Sequence, residues 1–287
     1  MSGQTPSDPR QRVIEDANPE SVIHRADGRI IELKAHRAAW SGRHSENSLP
    51  ALRECYAQRV ARVEIDIMFR RADFLVTHDE PRAGARLPRL HEALAIAGVA
   101  ADSPTLLMLD AKGDAPWPPD CVTRLLRLIE PLRERLFVGS PADWNLRRLR
   151  ASDPALVLAF DPQYYLTWSA RPRRLPGRVG AYGYQDTHPL ALRRTGPAAA
   201  YLRERFETLV TLVPGAREVH LELAFVERMH ADGFDAVGFL HEAGALVDVW
   251  TVDARTRGWR ERVARALAAG VDIVTTNTPR QLARAFV

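Results

Sequence analysis

Along this chain the hydrophobic positions switch repeatedly between a period of two and a helical period. Alternating or wholly apolar runs at 30–35, 62–69, 105–111, 136–140, 156–160, 218–223, 245–252 and 271–276 predict eight short strands. Helical spacing between them predicts helices over 45–60, 90–97, 121–132, 144–150, 225–242 and 259–269. Ser45 and Ser48 are cap candidates for the first of these, and Pro50 suits its first turn. A further short strand at 74–77 ends on His78, and residues 1–28 read as a polar lead-in. Strands that alternate with helices imply parallel βαβ units. Eight such units within about 250 residues are the size of a (β/α)8 barrel, expected here as one domain over 29–287. An open doubly wound sheet competes with it. No glycine-rich loop follows the first strand, however, and polar residues end many strands, an arrangement a barrel gathers at one mouth.

The segment 161–197 breaks the rule of short connections. It is rich in proline and glycine, has no clear period, and carries Tyr164, Tyr165, Trp168, Tyr182 and Tyr184. So many aromatics argue against disorder. A loop of this length in a barrel is expected to be functional, here a cover over the mouth with aromatic walls. The alternative is a peripheral excursion packed on the outside of the barrel.

The candidate chemistry gathers between His36 and Asp79, with Asp110 and Lys112 beyond. Residues 62–69 read RVEIDIMF, so Glu64 and Asp66 share one face and Val63, Ile65 and Ile67 the other. Two such carboxylates inside a barrel repel one another and are costly to desolvate unless a cation joins them. Asp110 ends the next main strand and is the natural third ligand. Three carboxylates without cysteine select a hard divalent ion, Mg²⁺ or Ca²⁺, over zinc. Lys112 shares Asp110's face and offers an ammonium to a phosphate oxygen, while Arg37 offers a planar fork. His36 and His78 end separate strands and titrate in the range needed for a base and an acid. Trp250, at another strand end, is on physical grounds equally core or pocket wall. His220 and Glu222 share a face of the sixth main strand and point to no defined role.

Composition alters this picture little. The net charge of +4 comes from scattered basic residues, with no cluster or motif for nucleic acid. Only Lys34 and Lys112 are lysines among 40 basic residues, which marks both positions. Cys55 and Cys121 stand alone in helical patterns and read as buried thiols, with a single disulfide the alternative. No apolar run is long enough to span a membrane, and no secretory signal opens the chain, so the expected location is cytoplasmic.

The ordered set His36-Arg37, Glu46-Asn47, Glu64-x-Asp66, His78-Asp79, Asp110-x-Lys112, Ser140, Trp250-Thr-Val-Asp253 and Thr275-Thr276-Asn277-x-Pro279 resembles the glycerophosphodiester phosphodiesterases over about residues 34–285. That resemblance implies the same barrel, with His36 and His78 as the acid–base pair and a divalent ion on Glu64, Asp66 and the third acid. It places Arg37 and Lys112 on phosphate, makes Trp250 a substrate wall, and leaves Glu46 to orient its neighbours. Three features depart from the usual pattern. The third acid is Asp110 where the family has glutamate, as in the sphingomyelinase D-like branch; the insertion after His-Asp is nearly absent; and the segment 161–197 is unusual. The expected activity is metal-assisted cleavage of a small glycerophosphodiester or sugar phosphodiester to a phosphomonoester and an alcohol. The nucleophile is water or a neighbouring substrate hydroxyl, the latter giving a cyclic phosphate. The alternatives are a sphingomyelinase D-like phospholipase acting on a choline lipid and, more remotely, a non-catalytic barrel that binds a phosphorylated ligand.

Overall fold

The structure, a computed structural model, describes residues 14–82, 84–170 and 178–286. Eight parallel strands close into a ring in chain order: βA (Ile30–Ala35), βB (Arg62–Arg70), βC (Leu106–Lys112), βD (Leu136–Ser140), βE (Leu158–Phe160), βF (Glu218–Glu222), βG (Leu246–Trp250) and βH (Ile273–Thr276). βH pairs with βA, and βA pairs with βB, which completes the barrel expected from the alternating pattern. Two short strands lie outside the ring. Asp73–Val76 folds back antiparallel on βB, and Val22–His24 runs antiparallel along βA. The latter lies within the span read as a lead-in; residues 1–13 fall outside the described residues.

The alternation in βB works as its sequence dictates. Val63, Ile65 and Ile67 are buried under the helices, while Arg62, Glu64 and Asp66 are buried inside the ring. The first helix spans Leu49–Ala57, where the Ser48 hydroxyl accepts from the Ala51 N–H and Ala51, Leu52, Cys55 and Tyr56 face the strands. Cys55 and Cys121 are both free and buried, as read from their helical settings. The helix expected over 225–242 is two, Leu223–Ala231 and Ala236–Glu242. Gly233 adopts φ +85° between them, and the Asp235 carboxylate caps the second helix at the Gly238 N–H. Helices at Ala198–Val210 and Pro279–Ala285 lie where the sequence pattern predicted none.

Within 161–197, residues 171–177 lie outside the described residues. The described remainder holds a two-stranded ladder, Leu166–Thr167 with Gln185–Asp186. Its aromatics pack on the shell of the barrel. Tyr184 is fully buried and donates to Asp232, Tyr182 stacks on Tyr201 with centroids 4.5 Å apart, and Tyr164 stacks on Trp144.

The interior of the ring is unusually charged. Lys34, on βA, is buried, and its ammonium meets Asp248, Glu218, the His220 ring and the Met108 sulfur. Below it, buried Arg62 bonds Glu32 and the other oxygen of Glu218. Small residues at Gly139 and Ala159 leave room for Met108 and His220: a Cβ on Gly139 would come 2.4 Å from the Met108 methyl. Removing one member of such a buried set leaves an uncompensated charge. Lys34→Met is therefore expected to destabilise the fold by about 3–5 kcal/mol, read from the urea midpoint. A loss under about 1 kcal/mol would mean that Asp248 and Glu218 do not depend on the ammonium.

Candidate active site

The C-terminal strand ends open on a cavity of about 340 Å³. His36, Arg37, Glu64, His78, Asp110 and Lys112 line it, together with Trp250. The pairing of βB with βC sets Asp66 directly beside Asp110 and Glu64 beside Met108. One oxygen each of Glu64, Asp66 and Asp110 lie within 4.8 Å of one another. Glu64 and Asp66 are buried, and Asp110 is partly exposed.

The surroundings of these acids are cationic but incomplete. Lys112 bonds Asp110 and stands 3.0 Å from Asp66 Oδ1. Burial works against its charge, yet Asp110, Asp66 and Glu64 outweigh burial and hold the ammonium above its ordinary pKa. Arg37 lies just past the end of βA with φ +52°, a left-handed conformation uncommon for arginine. In that conformation its backbone N–H donates to Glu64 Oε2 at 2.6 Å, while its guanidinium pairs with Asp66 and with Glu46 Oε2. Asn47, also left-handed at φ +54°, donates its amide to Asp66 Oδ2 at 2.7 Å and accepts from the Asp66 N–H. Burial opposes ionisation of Asp66, but Lys112, Asn47 and Arg37 together hold its carboxyl below the usual range. Burial raises Glu64 far above its usual value, and repulsion from Asp66 and Asp110 adds to the shift.

Those partners leave one buried oxygen, Glu64 Oε1, without a hydrogen bond, while Asp66 Oδ1 has the Lys112 ammonium beside it. Three converging carboxyl groups, one with a buried oxygen that has no partner, suit a hard divalent cation. The donor set therefore fits the group inferred from the sequence, with Glu64, Asp66 and Asp110 as the residues that could hold it.

The two histidines are fixed by their ring nitrogens. His36 Nδ1 meets Asn277 Oδ1 at 2.8 Å, so Nδ1 carries the proton and Nε2 is left as the basic nitrogen. Burial, which outweighs the opposing pull of Asn277, lowers the His36 pKa below its ordinary value. Asn277 is held in turn, its N–H and its amide both donating to Asp253. His78 is more exposed and pairs through Nδ1 with Asp79 at 2.7 Å.

The structure thus brings His36, His78, Glu64, Asp66, Asp110, Arg37, Lys112 and Trp250 to one mouth, with Glu46 behind Arg37. It adds residues that the sequence pattern had not singled out as pocket residues: Asp161, Gln163, Lys34, Asp248 and Thr275, with His220. The signal for Asp248 was present, since it lies two residues before Trp250 and so shares its face. Asp161 and Gln163 are the described contribution of 161–197 to the lining, and the aromatics expected as walls, Tyr164, Tyr165, Trp168, Tyr182 and Tyr184, are not part of it. Burial pushes the Asp161 carboxyl up to about 8, and the Gln163 N–H it accepts only partly offsets this.

No protein-family model matches this sequence, and no curated protein matches it significantly. Among solved structures the fold is shared with glycerophosphodiester phosphodiesterases. One from Parabacteroides distasonis superposes with a TM-score of 0.62 at 16% identity, covering 88% of this chain and 95% of that one. A putative one from Galdieria sulphuraria gives 0.62 at 18% identity over 90% and 98%. A phosphodiesterase from Oleispira antarctica, solved with its product sn-glycerol-3-phosphate, gives 0.58 at 17% identity over 88% and 95%. At these identities the likeness is one of fold. Among the described residues no helix is long and apolar enough to cross a membrane.

Titrating Mg²⁺ or Ca²⁺ into chelator-stripped protein is expected to raise Tm through binding to the native state alone. Asp110→Asn should weaken that affinity by about tenfold or more, comparable to the loss of one charge-assisted contact. Calorimetric affinities equal to wild type would rule out the three-carboxylate site.

Proposed function

We propose that this chain is a phosphodiesterase of the glycerophosphodiester type, cleaving a small diester into a phosphomonoester and an alcohol. The observation that carries this reading is the buried Glu64 Oε1, without a hydrogen-bond partner, in a cavity that Asp110, His36, His78, Arg37 and Lys112 also line. The shared fold supports it, as does the glycerol phosphate held by the Oleispira antarctica neighbour.

In this reading Lys112 and Arg37 receive the phosphate, the first as a compact charge at the edge of the acid group and the second through its fork. A divalent cation, Mg²⁺ or Ca²⁺, on Glu64, Asp66 and Asp110 would supply further positive charge against the phosphoryl oxygens. His36 is kept neutral by burial and oriented by Asn277, and so takes the proton of the nucleophile at Nε2. The nucleophile is water or a neighbouring hydroxyl of the substrate. His78, tethered through Nδ1 to Asp79, delivers a proton to the departing oxygen. Trp250 walls the cavity, and Glu46 steadies the guanidinium of Arg37.

A phosphorus NMR time course on chelator-stripped protein, with Mg²⁺ or Ca²⁺ restored, tests the reading against glycerophosphocholine, a lysophospholipid and a sugar phosphodiester. Metal-restored conversion of a water-soluble diester is expected, and the product shift separates a free monoester from a cyclic phosphate. No conversion of any diester would defeat the proposal. Conversion of the lysophospholipid alone would favour the phospholipase alternative.

His36→Ala and His78→Ala should each lower turnover about 10²-fold or more, with the far-UV circular dichroism spectrum unchanged. A base works only when unprotonated, so kcat/KM should rise with pH through the His36 pKa. Because burial lowers that pKa, the acid limb should fall below the ordinary histidine value of 6.5. An acid limb above that value would assign the base to another group.

A further inference from the structure

We infer that the connection after βE carries a docking surface for an anionic lipid membrane, formed by Val179, Leu190 and Leu192 with Arg178, Arg193 and Arg194. None of the six lines the cavity, so the inference stands apart from the phosphodiesterase reading.

The sequence of this connection is lopsided in charge. Basic residues are dispersed along the whole chain, but between Pro162 and Arg203 the only acid is Asp186. That carboxylate is buried and taken up by the Arg205 guanidinium and the Tyr201 hydroxyl. Arg178, Arg193 and Arg194 are exposed, and the stretch itself presents no exposed acid to offset them.

Its hydrophobic residues are divided just as unevenly. Tyr182, Tyr184 and Ala191 are buried, whereas Val179, Leu190 and Leu192 are 46%, 58% and 51% exposed. These are three of the five large apolar side chains exposed among the described residues, and a group of them is less usual than a single one. The fold sets them together. The Ala181 N–H donates to the Ala191 carbonyl at 2.8 Å, and a Cβ on Gly180 would come 2.7 Å from that oxygen, so the two turns touch through their backbones. Val179 precedes Gly180 in one turn, and Leu190 and Leu192 flank Ala191 in the other. Tyr182 anchors the base: its ring stacks on Tyr201, and its hydroxyl accepts from the N–H groups of Thr195 and Gly196. The aromatics thus hold a support from which the aliphatic side chains face outward.

Aliphatic tips beside unopposed guanidinium groups fit the boundary layer of a bilayer. Acyl chains accept the first, and lipid phosphates accept the second in charge-assisted hydrogen bonds. A nucleic acid would engage the arginines but leave the leucines in water, since bases stack on aromatic faces. The connection also begins with Asp161 and Gln163 in the cavity lining, so the patch belongs to the end of the barrel that carries the mouth. Docking there would keep the barrel at a surface dense in phosphodiesters.

Sedimentation of the full chain with lipid vesicles tests this surface and requires no turnover. Binding to mixed phosphatidylcholine–phosphatidylglycerol vesicles is expected, with weak binding to phosphatidylcholine alone and a loss as salt rises. Arg178→Gln with Arg193→Gln should lower the partition coefficient about 20-fold, at about fivefold for each cation. Leu190→Ser with Leu192→Ser should lower it about tenfold. All four side chains are exposed, so an unchanged Tm is the control for folding in both pairs. No sedimentation with the mixed vesicles would overturn the inference and leave the patch to a protein partner. Binding unchanged in both paired variants would place the contact elsewhere and overturn it as well. So would sensitivity to the arginines alone, because apolar insertion would then play no part.

Discussion

The ammonium of Lys34 is the interaction on which the mouth of this barrel depends. A ring of eight strands must fill its own interior, commonly with layers of branched apolar side chains. Here the filling includes three carboxylates, Glu32, Glu218 and Asp248, and two cations, Lys34 and Arg62. Desolvating those carboxylates is costly, and each is tolerated because a cation lies against it. The cluster also lies at a particular level. Lys34, Asp248 and Thr275 each stand two residues before a residue at the mouth: His36, Trp250 and Asn277. Since side chains in a strand repeat every two residues, the layer that holds Lys34 sets the height of the layer above it.

The barrel solves one electrostatic problem in two ways. The ligand atoms of Glu218, His220 and Asp248 lie close enough together to hold a metal ion, and the Lys34 ammonium contacts all three residues. Glu64, Asp66 and Asp110 form a second such group, in which Lys112 pairs with Asp110 and Asp66 and Arg37 with Asp66. The first group is saturated by the chain itself and serves as scaffold. The second keeps one buried oxygen, Glu64 Oε1, unpartnered, and burial with mutual repulsion drives Glu64 towards its neutral form. That imbalance separates the two groups: the first has its oxygens engaged by Lys34, and the second retains one without a partner.

Local pattern was enough to read the strands. The alternation in βB placed Glu64 and Asp66 inside and the aliphatic residues outside, and lone cysteines in helical patterns read correctly as buried thiols. It was insufficient where residues distant in sequence decide the outcome. The break between Ala231 and Ala236 depends on a positive-φ glycine inside an otherwise helical run. The aromatics of 161–197 could face a pocket or a shell, and only the presence of Tyr201 and Asp232 beside Tyr182 and Tyr184 places them in the shell. Asp161 and Gln163 sit at the start of that irregular stretch, where no period marks which side chains turn inward.

By itself the sequence determined the eight-unit barrel, the residues that end its strands and the hard, oxygen-only character of the acid group. Periodicity and residue chemistry are local properties, and they survive in a linear reading. Tertiary structure decided what closure and register alone can bring about. It set Asp66 beside Asp110, brought Asn277, just past the last strand, to His36, just past the first, and drew Lys34 into contact with Glu218 and Asp248 across the ring. Each of these contacts joins residues far apart in the chain, and their meeting depends on the closure of the whole sheet, which no single segment encodes.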